Sequence, residues 1–414
     1  MTDFAPRCRS CQQGGLVTVL SLGRTPLANA LLSREQLDQP EATYPLDLVY
    51  CPGCALVQIT ETVSPETLFR EYLYFSSFSD TMLRHARTLA SRLTAERELD
   101  AGSLVVEIAS NDGYLLQNYR DRGVPILGIE PAVNIARVAE ERGIPTLSEF
   151  FGETLARQLR ASGRRADVIH AHNVLAHVPD LNGFAAGIAL LLKDDGIAVV
   201  EVPYVRDLID HVEFDTIYHE HLCYFSLTSL RALFGRHRLA IAEVERVPIH
   251  GGSLRVTVAR DDCARAGLVR SASVTEILGE ETQWGVEEFA RYAHFGETVQ
   301  DLCRQLVALL QDLKADGKRI AAYGASAKGS TLLNYCGIGR ETLDFVADRS
   351  TAKQGRYTPG SHLPIVPPER LLQALPAYVL LLTWNFAEEI LAQQHQYRAL
   401  GGRFIIPIPD LRVA

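Results

Sequence analysis

The chain has 414 residues, of which 47% are hydrophobic, and a formal net charge of −9. This is enough apolar material for two or three domains, each with its own core. Apolar runs such as "AYVLLLTW" are far shorter than the ~20 residues that span a bilayer, and no apolar leader follows "MTDFAPRC". The absence of a basic block disfavours nucleic acid as a partner. We therefore expect a soluble, cytoplasmic, multidomain protein without a membrane or nucleic-acid partner.

Two C-x-x-C motifs lie near the N-terminus. "CRSC" supplies Cys8 and Cys11, and "CPGC" supplies Cys51 and Cys54. Each pair presents two sulfurs from a tight turn, so the four thiolates suit one structural zinc ion, with a redox or free-thiol role as the alternative. The remaining cysteines lie apart in sequence, and we expect small buried apolar side chains at Cys223, Cys263, Cys303 and Cys336.

From about residue 75, helical and strand-like segments alternate. "SLVVEIAS" and "VPILGIEPA" are typical of buried strands. The turn between them contains the candidate ligand-binding residues Glu107, Ala109, Ser110, Asn111 and Gly113. Glu130 ends the second strand, where an acidic residue accepts hydrogen bonds from a ribose. The turn lacks the G-x-G-x-x-G that cradles a pyrophosphate, and S-adenosylmethionine carries no phosphate. The pattern thus favours S-adenosylmethionine, with an ordinary βα turn as the alternative.

A third predicted strand, "ADVIHAHNVLAHVPDL", ends in polar residues that include Asn173 and His177. Ligands of open parallel sheets gather at the carboxyl ends of the strands, so we add Asn173 to the cofactor site. A fourth strand, "GIAVVEVPYV", leads into "DTIYHEHLCYFS", which concentrates groups that hold or move protons. For any one histidine here, a hydrogen-bonded core position is the alternative. His219 and His221 could also bind a metal, although the sequence offers no third ligand nearby.

A long helical stretch from Trp284 separates this region from "RIAAYGASAKGSTLLNYCG", which predicts another strand, turn and helix. Gly324 and Gly329 would let backbone amides approach an anion at the helix N-terminus. Charged and polar groups for the same ligand are Lys328, Asp348, Lys353, Arg356 and Tyr357. They suit a nucleotide diphosphate, and an NAD site is the alternative.

The motifs resemble, in order, those of the nucleotide-sugar C-methyltransferases over essentially the whole chain. They are "CRSC", "CPGC", "YLYFSSFSD", "VVEIASNDGYLL", "GIEPA", "NVLAHV", "IYHEHLCYFS", "HGGSLRV", "YGASAKGSTLLN" and "KQGRYTPGSHLPI". The resemblance implies an α/β protein of three parts: a small zinc-binding domain at 1–75, a central Rossmann-like S-adenosylmethionine-dependent methyltransferase domain at 76–260, and a C-terminal Rossmann-like domain at 316–414. A helical connector at 261–315 joins the last two.

The resemblance also implies the chemistry and the substrate. A base removes a proton beside the 4-keto group of a nucleoside-diphosphate 4-keto-6-deoxysugar, and the enolate attacks the methyl group, at carbon 3 or alternatively at carbon 5. His221 would be the base and Glu220 its partner, while Tyr218 and His177 would donate to the ketone oxygen and Tyr72 would close the site.

The C-terminal domain would hold the nucleotide through Ser326, Lys328, Asp348, Lys353, Arg356 and Tyr357. His219 is expected to be structural and the enzyme to be a monomer. An NAD-dependent sugar-nucleotide oxidoreductase is the alternative function.

Overall fold

The computed structural model describes residues 6–70, 75–249, 251–263 and 271–414. Its N-terminal part is an antiparallel sheet of β1 (Val17–Pro26), β2 (Thr43–Tyr50) and β3 (Val57–Ile59), followed by the short helix α1 (Pro65–Phe69). Leu48, Val57 and Ile59 are fully buried on these strands. The second C-x-x-C motif forms the turn that joins β2 to β3, because Ala55 donates back to the carbonyl of Cys51 at 2.9 Å.

The central part is a twisted sheet with helices on its faces. Its elements from α2 to β8 are, in chain order, α2 (Asp80–Glu96), β4 (Val105–Ile108), α3 (Gln117–Arg120), β5 (Ile126–Ile129), α4 (Val133–Glu141), β6 (Thr146–Leu147), α5 (Glu153–Ala161), β7 (Ala166–His172), α6 (Leu181–Leu191) and β8 (Leu192–Pro203). Every residue of β4 is buried, as expected for a central parallel strand covered on both faces.

Two helices, a short strand and a β-hairpin complete this part. The elements are α7 (Val205–Asp210), β9 (Cys223–Tyr224), α8 (Leu227–Arg236), β10 (Leu239–Val247) and β11 (Ser253–Arg260). The strand order is β10-β11-β8-β7-β4-β5-β6, with β4 to β8 parallel and the hairpin antiparallel. Because the chain leaves β4 on one side and returns to β7 on the other, a crevice opens at the carboxyl ends of these two strands.

β9 lies in the sequence of the central part but belongs to the N-terminal sheet, where it pairs with β3 in antiparallel register. The tyrosine- and histidine-rich segment that precedes β9 therefore lies between the N-terminal and central parts.

Three helices lead to the C-terminal part: α9 (Ala272–Trp284), α10 (Phe289–Ala293) and α11 (Phe295–Ala315). The elements that follow are β12 (Ile320–Tyr323), α12 (Ala327–Tyr335), β13 (Val346–Ala347), β14 (Ile365–Val366), α13 (Arg370–Ala374), β15 (Tyr378–Leu381), α14 (Ala387–Gln393), α15 (His395–Ala399), β16 (Arg403–Ile406) and β17 (Arg412–Val413). The strand order β14-β13-β12-β15-β16-β17 places a second crevice beside β12 and β15.

The prediction for two of the isolated cysteines was wrong. Cys303 on α11 and Cys336 after α12 form a disulfide across 33 positions of sequence, with their Cα atoms 5.5 Å apart. Cys223 and Cys263 are buried free thiols, as predicted. The bridged pair could not be recognised from sequence because the two residues belong to different helices, which only the tertiary fold brings together.

The N-terminal and C-terminal parts also touch directly. Leu32 and Tyr357 exchange two backbone hydrogen bonds of 2.9 Å, and the Glu41 carboxylate accepts from the Gly360 amide at 3.0 Å. The expected three-part α/β fold is confirmed. Among the described residues, no helix has both the length and the apolar character needed to cross a membrane.

Candidate active site

The two C-x-x-C motifs converge on one point. All four sulfurs of Cys8, Cys11, Cys51 and Cys54 lie within 4.8 Å of one another, and the pairs Cys8–Cys54 and Cys11–Cys51 are each 3.5 Å apart. Tetrahedral zinc with Zn–S bonds of ~2.3 Å requires sulfurs ~3.8 Å apart, so the donor set fits zinc. Four thiolates fill the coordination sphere, and this site is therefore structural.

The turn after β4 has the conformation that the sequence pattern required. Ala109, Asn111 and Gly113 have φ of +55°, +49° and +79°. At the end of the neighbouring strand β5, the Glu130 carboxylate accepts hydrogen bonds from the amides of Asn111 (2.9 Å) and Ala132 (2.8 Å). These bonds hold the carboxylate at the edge of the crevice, where a ribose would be recognised.

Burial perturbs the acidic groups of this turn. It raises the pKa of Glu130 to about 7, against the effect of its two backbone hydrogen bonds, and it raises the pKa of Glu107 well above its usual value. Glu107 Oε2, Ser110 Oγ and Asn173 Oδ1 are buried without a hydrogen-bond partner among the described residues. Of these three residues, Asn173 lines the crevice, where an unsatisfied polar atom is a common sign of a ligand site, and its side-chain oxygen fits a polar group of S-adenosylmethionine.

A cavity of about 860 Å³ begins at this turn and reaches the C-terminal part. Four of the residues predicted to bind the cofactor line it: Ala109, Asn111, Glu130 and Asn173. The other three, Glu107, Ser110 and Gly113, are buried but do not line it. Ser110 packs instead against Gly128 of β5, where an added Cβ would lie 2.6 Å from the serine hydroxyl.

Tyr218 and His221 form a hydrogen-bonded pair on the cavity wall. Tyr218 Oη lies 2.9 Å from His221 Nε2, and His221 Nδ1 lies 2.9 Å from the carbonyl oxygen of Thr216. Because a carbonyl only accepts, Nδ1 must carry a proton, which leaves the lone pair of the neutral ring on Nε2. Tyr218 therefore donates to Nε2, and Thr216 fixes the tautomer that makes this nitrogen a proton acceptor.

His177 packs its ring against His221, with centroids 4.8 Å apart at 69°. Burial lowers the pKa of His177 to about 4, so this imidazole is neutral near pH 7. Interactions of the ring with the backbone of Glu220 and of Asn173 oppose this lowering of the pKa but do not outweigh it. The backbone joins the two histidine segments, because the Leu222 amide donates to the Ala176 carbonyl at 2.7 Å.

Two neighbours of His221 contact the N-terminal part. Asn29 Nδ2 donates to Glu220 Oε1 at 2.7 Å, and both residues line the cavity. His219 turns away, with Nε2 3.1 Å from the Pro45 carbonyl. Sequence reasoning missed Asn29, since nothing in its neighbourhood marks it as functional. Tyr72, the remaining predicted catalytic residue, lies outside the described residues.

A buried charge network supports the floor of the cavity at His172. The Glu201 carboxylate contacts His172 Nδ1 at 2.9 Å, His85 Nε2 at 2.9 Å and Arg255 Nε at 2.6 Å. Although burial opposes it, His172 and His85 hold the pKa of Glu201 well below its usual value. Two histidines and a carboxylate could bind a metal, but the guanidinium in contact with the carboxylate already supplies the positive charge.

The C-terminal part supplies four of the six predicted substrate-binding residues: Ser326, Lys328, Asp348 and Lys353 line the cavity, whereas Arg356 and Tyr357 do not. Asp348 accepts from the Ala325 amide at 2.7 Å, and Lys353 Nζ donates to the Ala325 carbonyl at 2.8 Å. These two side chains therefore hold the turn after β12. Tyr357 instead makes the bridge to Leu32.

The glycines of this turn also let it pack closely against the neighbouring strand. A Cβ on Gly324 would lie 2.5 Å from Thr383 Oγ1, and one on Gly329 would lie 2.8 Å from Leu382 Cβ. Both glycines thus permit close packing against the end of β15. The Gly329 amide is already capped by Ser326 Oγ at 3.1 Å.

Lys328 lies over the Trp384 ring, with Nζ 4.6 Å from its centroid. The indole donates to the buried carboxylate of Asp215 at 2.7 Å. Burial raises the pKa of Asp215, and the positive charge of Lys328 opposes that rise. Lys328 therefore lies in a cluster with the buried acidic groups Asp215 and Glu213.

Comparison with known proteins matches the three parts separately. Family models described as a putative zinc binding domain, a methyltransferase domain and a C-methyltransferase C-terminal domain match residues 8–69, 82–244 and 248–409. The chain is 38% identical to C-methyltransferase NovU from Streptomyces niveus over 406 residues, which are 98% of this chain and 96% of that protein.

Two of the solved structures that resemble it each cover less than half of this chain. Magnesium protoporphyrin IX methyltransferase (ChlM) from Synechocystis PCC 6803 with bound SAM is 15% identical, with a TM-score of 0.34, over 43% of this chain and 79% of its own. The PH0226 protein from Pyrococcus horikoshii OT3 is 15% identical, with a TM-score of 0.37, over 48% of this chain and 96% of its own. Scores this low carry no argument about the site.

Proposed function

This chain belongs to the S-adenosylmethionine-dependent C-methyltransferase family, and from that premise we propose that it methylates carbon 3 of a nucleoside-diphosphate 4-keto-6-deoxysugar. The enzyme binds structural zinc and S-adenosylmethionine. The observation that carries the proposed chemistry is the pair Tyr218–His221, with its tautomer fixed by Thr216, on the same cavity as the cofactor turn.

A ring carbon must first be made nucleophilic. His221 Nε2 takes the proton from the carbon beside the ketone, and the electron pair of that C–H bond forms the enolate. As the imidazole becomes positively charged, its Nδ1–H bond to the Thr216 carbonyl strengthens and stabilises it. S-adenosylmethionine, when bound, supplies the electrophilic methyl group.

The developing charge on the ketone oxygen needs hydrogen-bond donors. Tyr218, which donates to His221 in this structure, turns its hydroxyl to the ketone oxygen as the histidine takes up the substrate proton. His177 is the proposed second donor, because its imidazole is neutral and lines the cavity beside the ring of His221. The Glu220 carboxylate, which accepts a hydrogen bond from Asn29, orients the sugar by accepting hydrogen bonds from the sugar hydroxyl groups.

The nucleotide end of the substrate lies in the C-terminal part. Lys328 and Lys353 are the lysines among the described residues that line the cavity, and both belong to the C-terminal part. Their charges would attract a diphosphate, and Ser326 and Asp348 would contact the nucleoside. We keep Arg356 and Tyr357 as outer contacts of the nucleotide, and carbon 5 as the alternative position of methylation.

The test is mass spectrometry of the enzyme with S-adenosylmethionine and a panel of thymidine- and guanosine-diphosphate 4-keto-6-deoxysugars in deuterated water. We expect one sugar to gain one methyl group. Without the methyl donor, the same sugar should exchange one carbon-bound hydrogen for deuterium, because His221 can still form the enolate. Fragmentation of the product identifies the methylated carbon.

The matched variants are His221→Asn and His294→Gln. Asparagine can still donate to the Thr216 carbonyl but lacks the acceptor at Nε2, so exchange and methylation should both fall by a factor of ~10² to 10⁴. His294 is exposed at the start of α11, and its replacement should change neither rate. Full deuterium exchange in His221→Asn would refute the base assignment.

A further inference from the structure

The N-terminal part holds the catalytic segment, residues 218–224, at several successive positions. Besides the contacts of Asn29 with Glu220 and of Pro45 with His219, the Ile59 amide donates to the Leu222 carbonyl at 2.9 Å. The pairing of β3 with β9 then aligns Gln58 with Cys223 and Val57 with Tyr224. The zinc-binding sheet is therefore the frame on which this segment lies.

Gln58 connects this frame to the metal site. Its side-chain Oε1 accepts from the Arg9 amide at 2.8 Å, and its Nε2 donates to the Arg7 carbonyl at 3.2 Å. The two bonds bracket Cys8, the first zinc ligand. Gln58 is only 1% exposed, and the other two residues of β3, Val57 and Ile59, are apolar. A buried amide that satisfies both its donor and its acceptor in this way specifies one position of the loop.

The same loop is tied to the central part. Asn182 Nδ2, on α6, donates to the carbonyls of Arg9 and Ser10, each at 3.0 Å. His237, which follows α8, has Nε2 2.8 Å from the side-chain oxygen Oδ1 of Asn182. The cysteine loop at residues 8–11 thus has a fixed position relative to the sheet that carries the cofactor turn.

We propose that Gln58 is a positioning residue for catalysis: it transmits the position of the metal-bound cysteine loop through β3 and β9 to the catalytic segment. β9 has only two residues, and both pair with β3. A shift of β9 would move Leu222, whose amide bonds Ala176, and would therefore change the geometry between His221 and His177. A misplacement of about 1 Å can cost about 10²-fold in rate. The inference rests on the proposed roles of these histidines.

The first experiment compares Gln58→Met with Gln39→Met in the zinc-loaded enzyme. Methionine keeps the volume of Gln58 but removes both hydrogen bonds. Gln39 makes a similar bond, to the Glu35 carbonyl at 3.2 Å, in an exposed turn of the same part. We expect Gln58→Met to keep its zinc and its affinity for S-adenosylmethionine within about twofold, and to lose about tenfold or more in kcat with little change in KM. Gln39→Met should behave as wild type.

An unchanged kcat in Gln58→Met would overturn the proposal. So would a parallel loss of zinc and activity, because the glutamine would then serve only to retain the metal.

The second experiment is hydrogen exchange of the wild-type protein with and without a zinc chelator, read by mass spectrometry. Removal of zinc should accelerate exchange in residues 222–224 well before it does so in the cofactor turn, residues 107–113. Equal acceleration of both segments, or continued protection of 222–224, would refute the coupling.

This readout does not depend on catalysis. If the assignment of His221 as base fails, the exchange pattern still stands. If the coupling fails, the deuterium labelling of the sugar by wild-type enzyme is unaffected. If Gln58→Met does not fold, hydrogen exchange of the wild-type protein still tests the coupling between the zinc site and residues 222–224.

Discussion

Acidification should leave the His177 imidazole neutral until well below the pH at which an exposed histidine becomes charged. Burial lowers its pKa from the usual 6.5 to about 4, which corresponds to about 3 kcal/mol. In the unfolded chain His177 takes up a proton as the pH falls through about 6.5, whereas the folded protein resists until about pH 4. His177 therefore disfavours the folded state progressively between these values and has no effect above them.

The direct assay is an NMR titration of protein labelled at the histidine ring carbons, with His177→Gln to assign the signal. The His177 signal should not shift between about pH 8 and about pH 5, whereas histidines of the urea-unfolded protein titrate near about 6.5. The unfolding free energy of wild type minus that of His177→Gln should fall by about 3 kcal/mol from pH 7 to pH 4. The difference is needed because Glu130, whose pKa burial raises to about 7, changes stability in the opposite sense. A His177 signal that titrates near 6.5 would refute this reasoning.

Two further substitutions test the site. Tyr218→Phe removes the hydroxyl that lies 2.9 Å from His221 Nε2, and kcat in the methyl-transfer assay should fall about 10² to 10³-fold while zinc content stays constant; a loss below about fivefold would contradict the donor role. Gly113→Ala should destabilise the protein by about 2–5 kcal/mol in urea unfolding, because φ is +79° and the new Cβ would lie 2.6 Å from Ile144 Cγ1. Combining it with Ile144→Ala should cost less than the two single changes together, and strict additivity would show that the contact is unimportant.

Much of the fold and part of the site could be predicted from local sequence. The cysteine pairs have a fixed spacing, the strands of the central sheet are short apolar runs, and Glu130 stands at the end of one of them. Since the carboxyl ends of neighbouring parallel strands meet at one edge, these patterns also indicate where a ligand lies. The structural role expected for His219 agrees with its contact to the Pro45 carbonyl. The roles of Tyr218, Glu220 and His221 came from the family resemblance and stay predictions.

The rest depends on contacts between distant parts of the chain, which leave no local pattern. Asn29 lies 191 positions from Glu220, and β9 is too short to be recognised as a strand of the N-terminal sheet. The disulfide joins two helices whose approach is set by packing. The tautomer of His221 is set by the backbone carbonyl of Thr216. Every residue type has such a carbonyl, so the side chain at position 216 gives no sign of this role. Arg356 is a basic residue near the predicted site that does not line the cavity, and its contact with the nucleotide stays a prediction.

The N-terminal part contacts the C-terminal part through Leu32 with Tyr357 and through Glu41 with Gly360. Each of the three parts therefore contacts both of the others. Such an architecture constrains how the protein can be recombined. A chimera that imports the C-terminal part of a relative, in order to accept another nucleotide, inherits a foreign surface opposite residues 32 and 41. The boundary that such an exchange must respect is therefore a set of contacts distributed along the sequence, and these N-terminal positions have to be exchanged together with the C-terminal part.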